Sequence, residues 1–134
     1  MAKTVLIADD SASMRLSVRL LLEGRHAELE VREAVDGMDA IEKAKTSPPD
    51  LILLDLAMPR LNGAQAATFL KQALPETPVI LFTMYTDLSA DSLCAAIGAD
   101  FISKADGVSK LLERVDALLP PNRTSRVSAS DPSQ

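Results

Sequence analysis

Cysteine occurs once in the 134 residues, at Cys94, so no disulfide can close within the chain and disulfide-stapled scaffolds are excluded. A lone thiol packed as a small apolar residue suits a reducing, cytoplasmic setting. Histidine also occurs once, at His26, which leaves no His/Cys cluster of the kind that holds zinc. Placed in the polar stretch Arg25-His26-Ala27-Glu28, that histidine is expected to be exposed and idle. No apolar run approaches the ~20 residues that cross a bilayer. Met1-Ala2-Lys3-Thr4 lacks the apolar stretch and cleavage site of a signal peptide, so no membrane partner is expected. Basic residues are outnumbered, 14 Lys and Arg against 19 Asp and Glu, for a net charge of −5. That is the wrong sign for gripping a nucleic-acid backbone, and no nucleic acid is expected as a partner.

What is present is the composition of an ordinary globular domain, 47% apolar and 25% charged, in a chain long enough for a single core. Short apolar runs alternate with amphipathic segments five times. The runs are Val5 to Ala8, Leu29 to Val31, Leu51 to Leu54, Val79 to Phe82 and Phe101-Ile102. Three are continuously apolar, as strands covered on both faces are. The second alternates with Glu30 and Arg32, and the fifth is short; both suit sheet edges. Helical spacing follows in Met14, Val18, Leu21 and Leu22, with Gly24 as the expected C-cap. It recurs in Ala66, Ala67, Leu70, Ala73 and Leu74, and in Val108, Leu111, Leu112, Val115, Leu118 and Leu119. The helix expected between the fourth and fifth runs, about Asp87 to Ile97, is thinly anchored. These alternations predict a doubly wound (βα)5 α/β domain with a five-stranded parallel sheet in the order 2-1-3-4-5, flavodoxin-like, over residues 1–119. Residues 120–134, rich in Ser, Pro and Arg, are expected to form a disordered tail or the start of a linker.

In that topology the C-terminal strand ends share one rim. Strand 1 ends in Asp9-Asp10, strand 3 in Asp55, strand 4 in Thr83 and strand 5 in Lys104. Two like charges about 4 Å apart repel by roughly 4 kcal/mol at an effective dielectric near 20, so three carboxylates together call for a cation. An all-oxygen site suits Mg²⁺ better than a soft metal. A cation on one side of Asp55 and Lys104 on the other could neutralise an arriving phosphoryl group, which needs little beyond positioning and charge stabilisation.

Taken together and in order, Asp9-Asp10-Ser11 with Arg15, Asp36-Gly37, Leu53 to Pro59, Asn62-Gly63, Thr83, Gly98-Ala99-Asp100, and Phe101 three residues before Lys104 resemble a response-regulator receiver domain of two-component signalling. The resemblance covers about residues 3 to 119. It implies that Asp55 accepts a phosphoryl group from a sensor histidine kinase, a phosphotransfer protein or a small phosphodonor. It implies Mg²⁺ held by Asp10, Asp55 and the backbone carbonyl of Ala57, with Asp9 assisting. Thr83 would hydrogen-bond the phosphoryl oxygens, Lys104 would pair with them, and Phe101 would be the aromatic switch. Output would pass through the fourth helix, fifth strand and fifth helix to a downstream target protein, or to a second copy in a homodimer. Such a chain is a signalling acceptor and not a turnover enzyme.

Four positions depart from the family pattern. Met84 and Tyr85 stand where a small residue usually follows the threonine. Ala57 offers no polar side chain to position a hydrolytic water. Ala105 replaces the proline that usually follows the lysine in a cis peptide, a geometry costing about 3–4 kcal/mol before any other residue. Rival readings fare worse on the same residues. A haloacid-dehalogenase-type phosphatase wants a second aspartate at position 57, and a nucleotide-binding loop would not carry Asp9-Asp10 toward a phosphate. A receiver-like domain that signals by protein contact without phosphorylation is the remaining alternative.

Overall fold

Each central strand sends alternate residues to opposite faces, and that alternation sorts the core into two layers. In the computed structural model, residues 3–56, 58, 60–83, 92, 95–106 and 108–119 are described. The elements run β1 (Thr4–Ala8), α1 (Ala12–Arg25), β2 (Glu30–Ala34), α2 (Gly37–Thr46), β3 (Leu51–Leu54), α3 (Gly63–Ala73), β4 (Val79–Thr83) and β5 (Asp100–Ser103). A single 3-10 turn (Lys104–Asp106) then leads into the final helix (Val108–Leu118). The strands pair in parallel in the order β2-β1-β3-β4-β5, as the edge patterning requires, and the fold is flavodoxin-like.

Leu6, Ala8, Ile52, Leu54, Val79 and Leu81 pack on one face against Ala40, Ile41 and Ala44 of α2 and Ala66, Ala67 and Leu70 of α3. Val5, Ile7, Leu51, Leu53, Ile80 and Phe82 pack on the other against Val18 and Leu22 of α1 and Leu111 and Val115 of the final helix. Phe101 follows the alternation and is half-buried against the α2/α3 layer.

Local chemistry fixes the helix starts. Ser11 caps α1 by accepting from the Met14 amide, Asp36 caps α2 by accepting from Asp39, and Asn62 with Gln65 forms a full capping box on α3.

Several boundaries differ from the sequence expectation. β2 runs to Ala34 rather than ending at Val31, because β1 pairs with it along its full length; Arg32 and Glu33 sit on its half-buried edge. Gly24 is not a C-cap: α1 continues through it to Arg25, and His26 closes the helix with its amide on the Leu22 carbonyl. Leu21, placed on the buried stripe, is 40% exposed. His26 is not exposed at all. It is buried, and its Nε2 lies 2.7 Å from Asp116 Oδ1 on the final helix, a carboxylate shared with Arg25. Of the helix expected before β5, residues 92 and 95–97 are described and are helical. Its remaining residues, with Cys94, lie outside the described residues, as do Met84, Tyr85, Ala57, Pro59 and residues 120–134.

Candidate functional site

The register does the first part of the assembly. Ala8 pairs with Leu54, so the next residues in each strand, Asp9 and Asp55, leave the sheet side by side. The Asp55 amide donates to the Ala8 carbonyl at 2.9 Å and the Asp9 amide to Ala34 at 3.1 Å, which carries the ladder one residue past the strand ends. Thr83 pairs with Ser103, and Lys104 follows directly. One carboxylate oxygen from each of Asp9, Asp10 and Asp55 lies within 4.8 Å of the others.

Asp9 is 4% exposed and held from several sides. Its Oδ1 accepts from the Ser11 amide at 2.9 Å, and its Oδ2 lies 2.8 Å from Lys104 Nζ. Its carbonyl accepts from the Arg15 guanidinium at 2.5 Å, and Arg15 is braced in turn by Glu33 on β2 at 2.8 Å. Arg15 entered the sequence reading as a motif member without a role; here it fixes the β1–α1 turn. Asp10, by contrast, is exposed.

Lys104 is nearly buried, 3.6 Å from Asp55 Oδ1 and 5.7 Å from the centroid of the Phe82 ring. An ammonium this dehydrated needs its anionic partners and the face of the ring. The Lys104–Ala105 peptide is trans, and the Ala105 amide donates to the Ser103 hydroxyl at 3.1 Å. Alanine is thus accommodated without the cis bond of the family pattern.

Burial pushes the Asp55 carboxyl above its ordinary range; Lys104 and a hydrogen bond from Thr83 oppose the rise, while Asp9 and Asp10 add to it. Glu33, hydrogen-bonded first by Arg15 and then by Arg19, is held below the usual carboxylate range. The donor set is all carboxylate oxygen, a hard, compact arrangement that fits Mg²⁺. The structure therefore brings together Asp9, Asp10, Asp55, Thr83 and Lys104. Phe101 sits one strand away, opposite Leu81, and Ala57 lies outside the described residues.

Two residues that sequence reasoning left without a role flank this site. Asp36 and Arg60 form a two-point ion pair at 2.7 and 2.9 Å. Their separation of 24 residues gives no periodic signal; the sequence marks Asp36 as a motif member only, and Arg60 not at all.

The chain matches the model of the response regulator receiver domain over residues 5–116. The chemotaxis protein CheY of Bacillus subtilis is 33% identical over 120 residues, covering 89% of this chain and 99% of that protein. A protein-glutamate methylesterase/protein-glutamine glutaminase of Geobacter sulfurreducens is 41% identical over 105 residues, covering 75% of this chain. The chain spans only 28% of that methylesterase, and 56% of another curated relative. Among solved structures, the response regulator protein TrrA of Thermotoga maritima, in complex with Mg(2+)-BeF, superposes with a TM-score of 0.78 at 27% identity, covering 87% of this chain and 99% of that one. By motif, strand order and these likenesses, the chain belongs to the response regulator receiver domain family.

Proposed function

We propose that this domain takes a phosphoryl group onto Asp55 with the help of Mg²⁺ and passes the event to a protein partner in the cytoplasm. The single observation that carries the reading is the convergence of three carboxylates within 4.8 Å beside a nearly buried Lys104. Asp10 and Asp55, the Ala57 carbonyl and Asp9 would hold the ion, which when bound screens the carboxylates and the incoming phosphoryl oxygens.

The chain's own residues do the rest. An Asp55 carboxylate oxygen forms the bond to phosphorus as the bond from phosphorus to the donor's imidazole nitrogen, or to a small donor's acyl oxygen, breaks; the electron pair leaves with the donor. Lys104, which lies 2.8 Å from Asp9 and 3.6 Å from Asp55, turns to the new phosphoryl oxygens, and Thr83, already bonded to Asp55, donates its hydroxyl to one of them. Phe101, half-buried on the neighbouring strand, follows Thr83 as the switch. A sensor histidine kinase or phosphotransfer protein supplies the group. The face made by β5 and the helices on either side of it presents the change to a downstream target or a second copy. The domain runs to about Leu119, which still packs in the core, and is a signalling acceptor rather than a turnover enzyme.

Incubation with acetyl phosphate, or with BeF₃⁻, in the presence of Mg²⁺ tests this. A mass increase that survives Asp50→Asn and is lost in Asp55→Asn supports the assignment. No label and no Mg²⁺-dependent spectral change would leave signalling by protein contact without phosphorylation as the reading.

A further inference from the structure

Lys104 reaches a long way across the sheet. It follows β5 at one edge, yet its ammonium donates to Asp9 Oδ2 at 2.8 Å just past β1, across the ends of β4 and β3. Its side chain is only 8% exposed, and Asp55 Oδ1 lies 3.6 Å from the ammonium. A four-carbon stem has many rotamers, so an ammonium carried that far needs a contact along the path to fix it. Phe82 offers one. It lies near the end of β4, paired with Ile102 and buried in the core. Lys104 Nζ stands over its ring, 5.7 Å from the centroid.

The same ring meets the site a second time. It lines a small cavity, about the size of one water molecule, together with Asp9, Asp55, Leu53, Met14 and Val18. A smaller side chain at this position would widen that space beside the carboxylates.

The three partners of the ammonium also differ in what phosphorylation does to them. Asp9 and Asp55 are carboxylates on which a bound cation would draw, and Asp55 becomes an acyl phosphate. The ring is neutral, and neither event consumes it. Its attraction for a cation is greatest where water is excluded, as it is around Lys104.

We propose that Phe82 is a positioning residue for phosphoryl transfer: the face of its ring holds the Lys104 ammonium beside Asp55 once the charge of Asp9 is shared with a divalent cation. This rests on the reading of Asp55 as the phosphoacceptor. Phe82 acts through Lys104 and not on the phosphoryl group itself. The sequence hides the role, because Phe82 stands in a continuous apolar run and reads as core.

Site-specific replacement of Phe82 by a trifluorinated phenylalanine in the full chain tests this. Fluorine keeps the ring and its packing but strips the negative charge from its face, so a contact that depends on charge is lost while the core is kept. The rate constant for labelling by acetyl phosphate at saturating Mg²⁺ is expected to fall roughly tenfold, with the melting temperature near that of wild type. A monofluorinated ring should give an intermediate rate. Phe82→Leu, built from ordinary residues, should fall at least as far as the trifluorinated ring. The same replacement at Phe69, whose ring lies 5.6 Å from Lys45 Nζ on the α2/α3 surface, should leave labelling unchanged. Lys104→Met is expected to label slowly, and in that background fluorination at Phe82 should cost nothing further. A wild-type rate with the trifluorinated ring, or an equal loss in the Lys104→Met background, would overturn the positioning role alone. A wild-type chain that takes no label on Asp55 would overturn the site reading and this inference with it.

Discussion

Asp55 and Asp116 are both carboxylates, yet the fold treats them in opposite ways, and pH separates them. Burial raises the Asp55 carboxyl above its ordinary value. Below the unfolded value, about 3.9, both states are protonated and the residue costs nothing. As pH climbs the unfolded chain ionises first, so stability falls, and the full penalty is present once pH passes the folded value. Asp55→Asn should therefore raise the melting temperature at pH 7, with the gain shrinking to nothing near pH 3, as calorimetry across that range would show. Asp116 is pulled down, first by its hydrogen bond from Arg25 and then by His26. Its contribution is present above the unfolded value and is lost as pH falls through the folded one. Asp116→Asn should accordingly flatten the acid side of the stability curve, below about pH 4, while Asp55→Asn alters the side above it.

At the scale of elements, α1 carries two features that its own periodicity does not reveal. Gly24 lies inside the helix with nothing within 4 Å of where a Cβ would stand. Gly24→Ala is expected to stabilise by about 0.5–1 kcal/mol, readable as a rise of the denaturant midpoint at constant slope. The end of the helix is pinned by His26, buried against Asp116. His26→Ala should cost about 1–3 kcal/mol in the same measurement, the range for a buried polar group that loses its partner. The sequence shows Gly24 near the end of an apolar stripe, where a C-cap is the natural reading, and shows His26 among charged residues, where exposure is. Both readings fail for one reason: the Asp116 carboxylate that draws the helix onward is 90 residues away. The strand ends are legible because continuous apolar runs mark them and parallel pairing aligns them, so Asp9, Asp55, Thr83 and Lys104 could be named before their distances were known. Residues that pair across the chain without a period, such as Arg60 with Asp36, leave no comparable trace.

For the molecule as a whole, the acidic cluster is a local weakness that a bound cation would repair. With Mg²⁺ at a hundredfold its dissociation constant, stabilisation of about 2.7 kcal/mol is expected from binding to the folded state alone. A thermal melt should move up on addition of Mg²⁺ and return with a chelator, and the shift should be smaller in Asp10→Asn.

The division of the core into two faces also sets an order of completion. Every fully buried member of the α2/α3 layer lies at or before Leu81. The opposite layer draws on Ile102, Leu111, Val115 and Leu119 to cover Val18 and Leu22 of α1. During synthesis, at about 5–20 residues per second, one side of the sheet can close while the other waits. The first helix made is thus among the last to be covered, and for those seconds α1 presents its inner face together with Leu16 and Leu20, which stay exposed even in the finished fold. A ribosome stalled before the final helix emerges would display a half-built sheet whose bare side is the natural target for a chaperone.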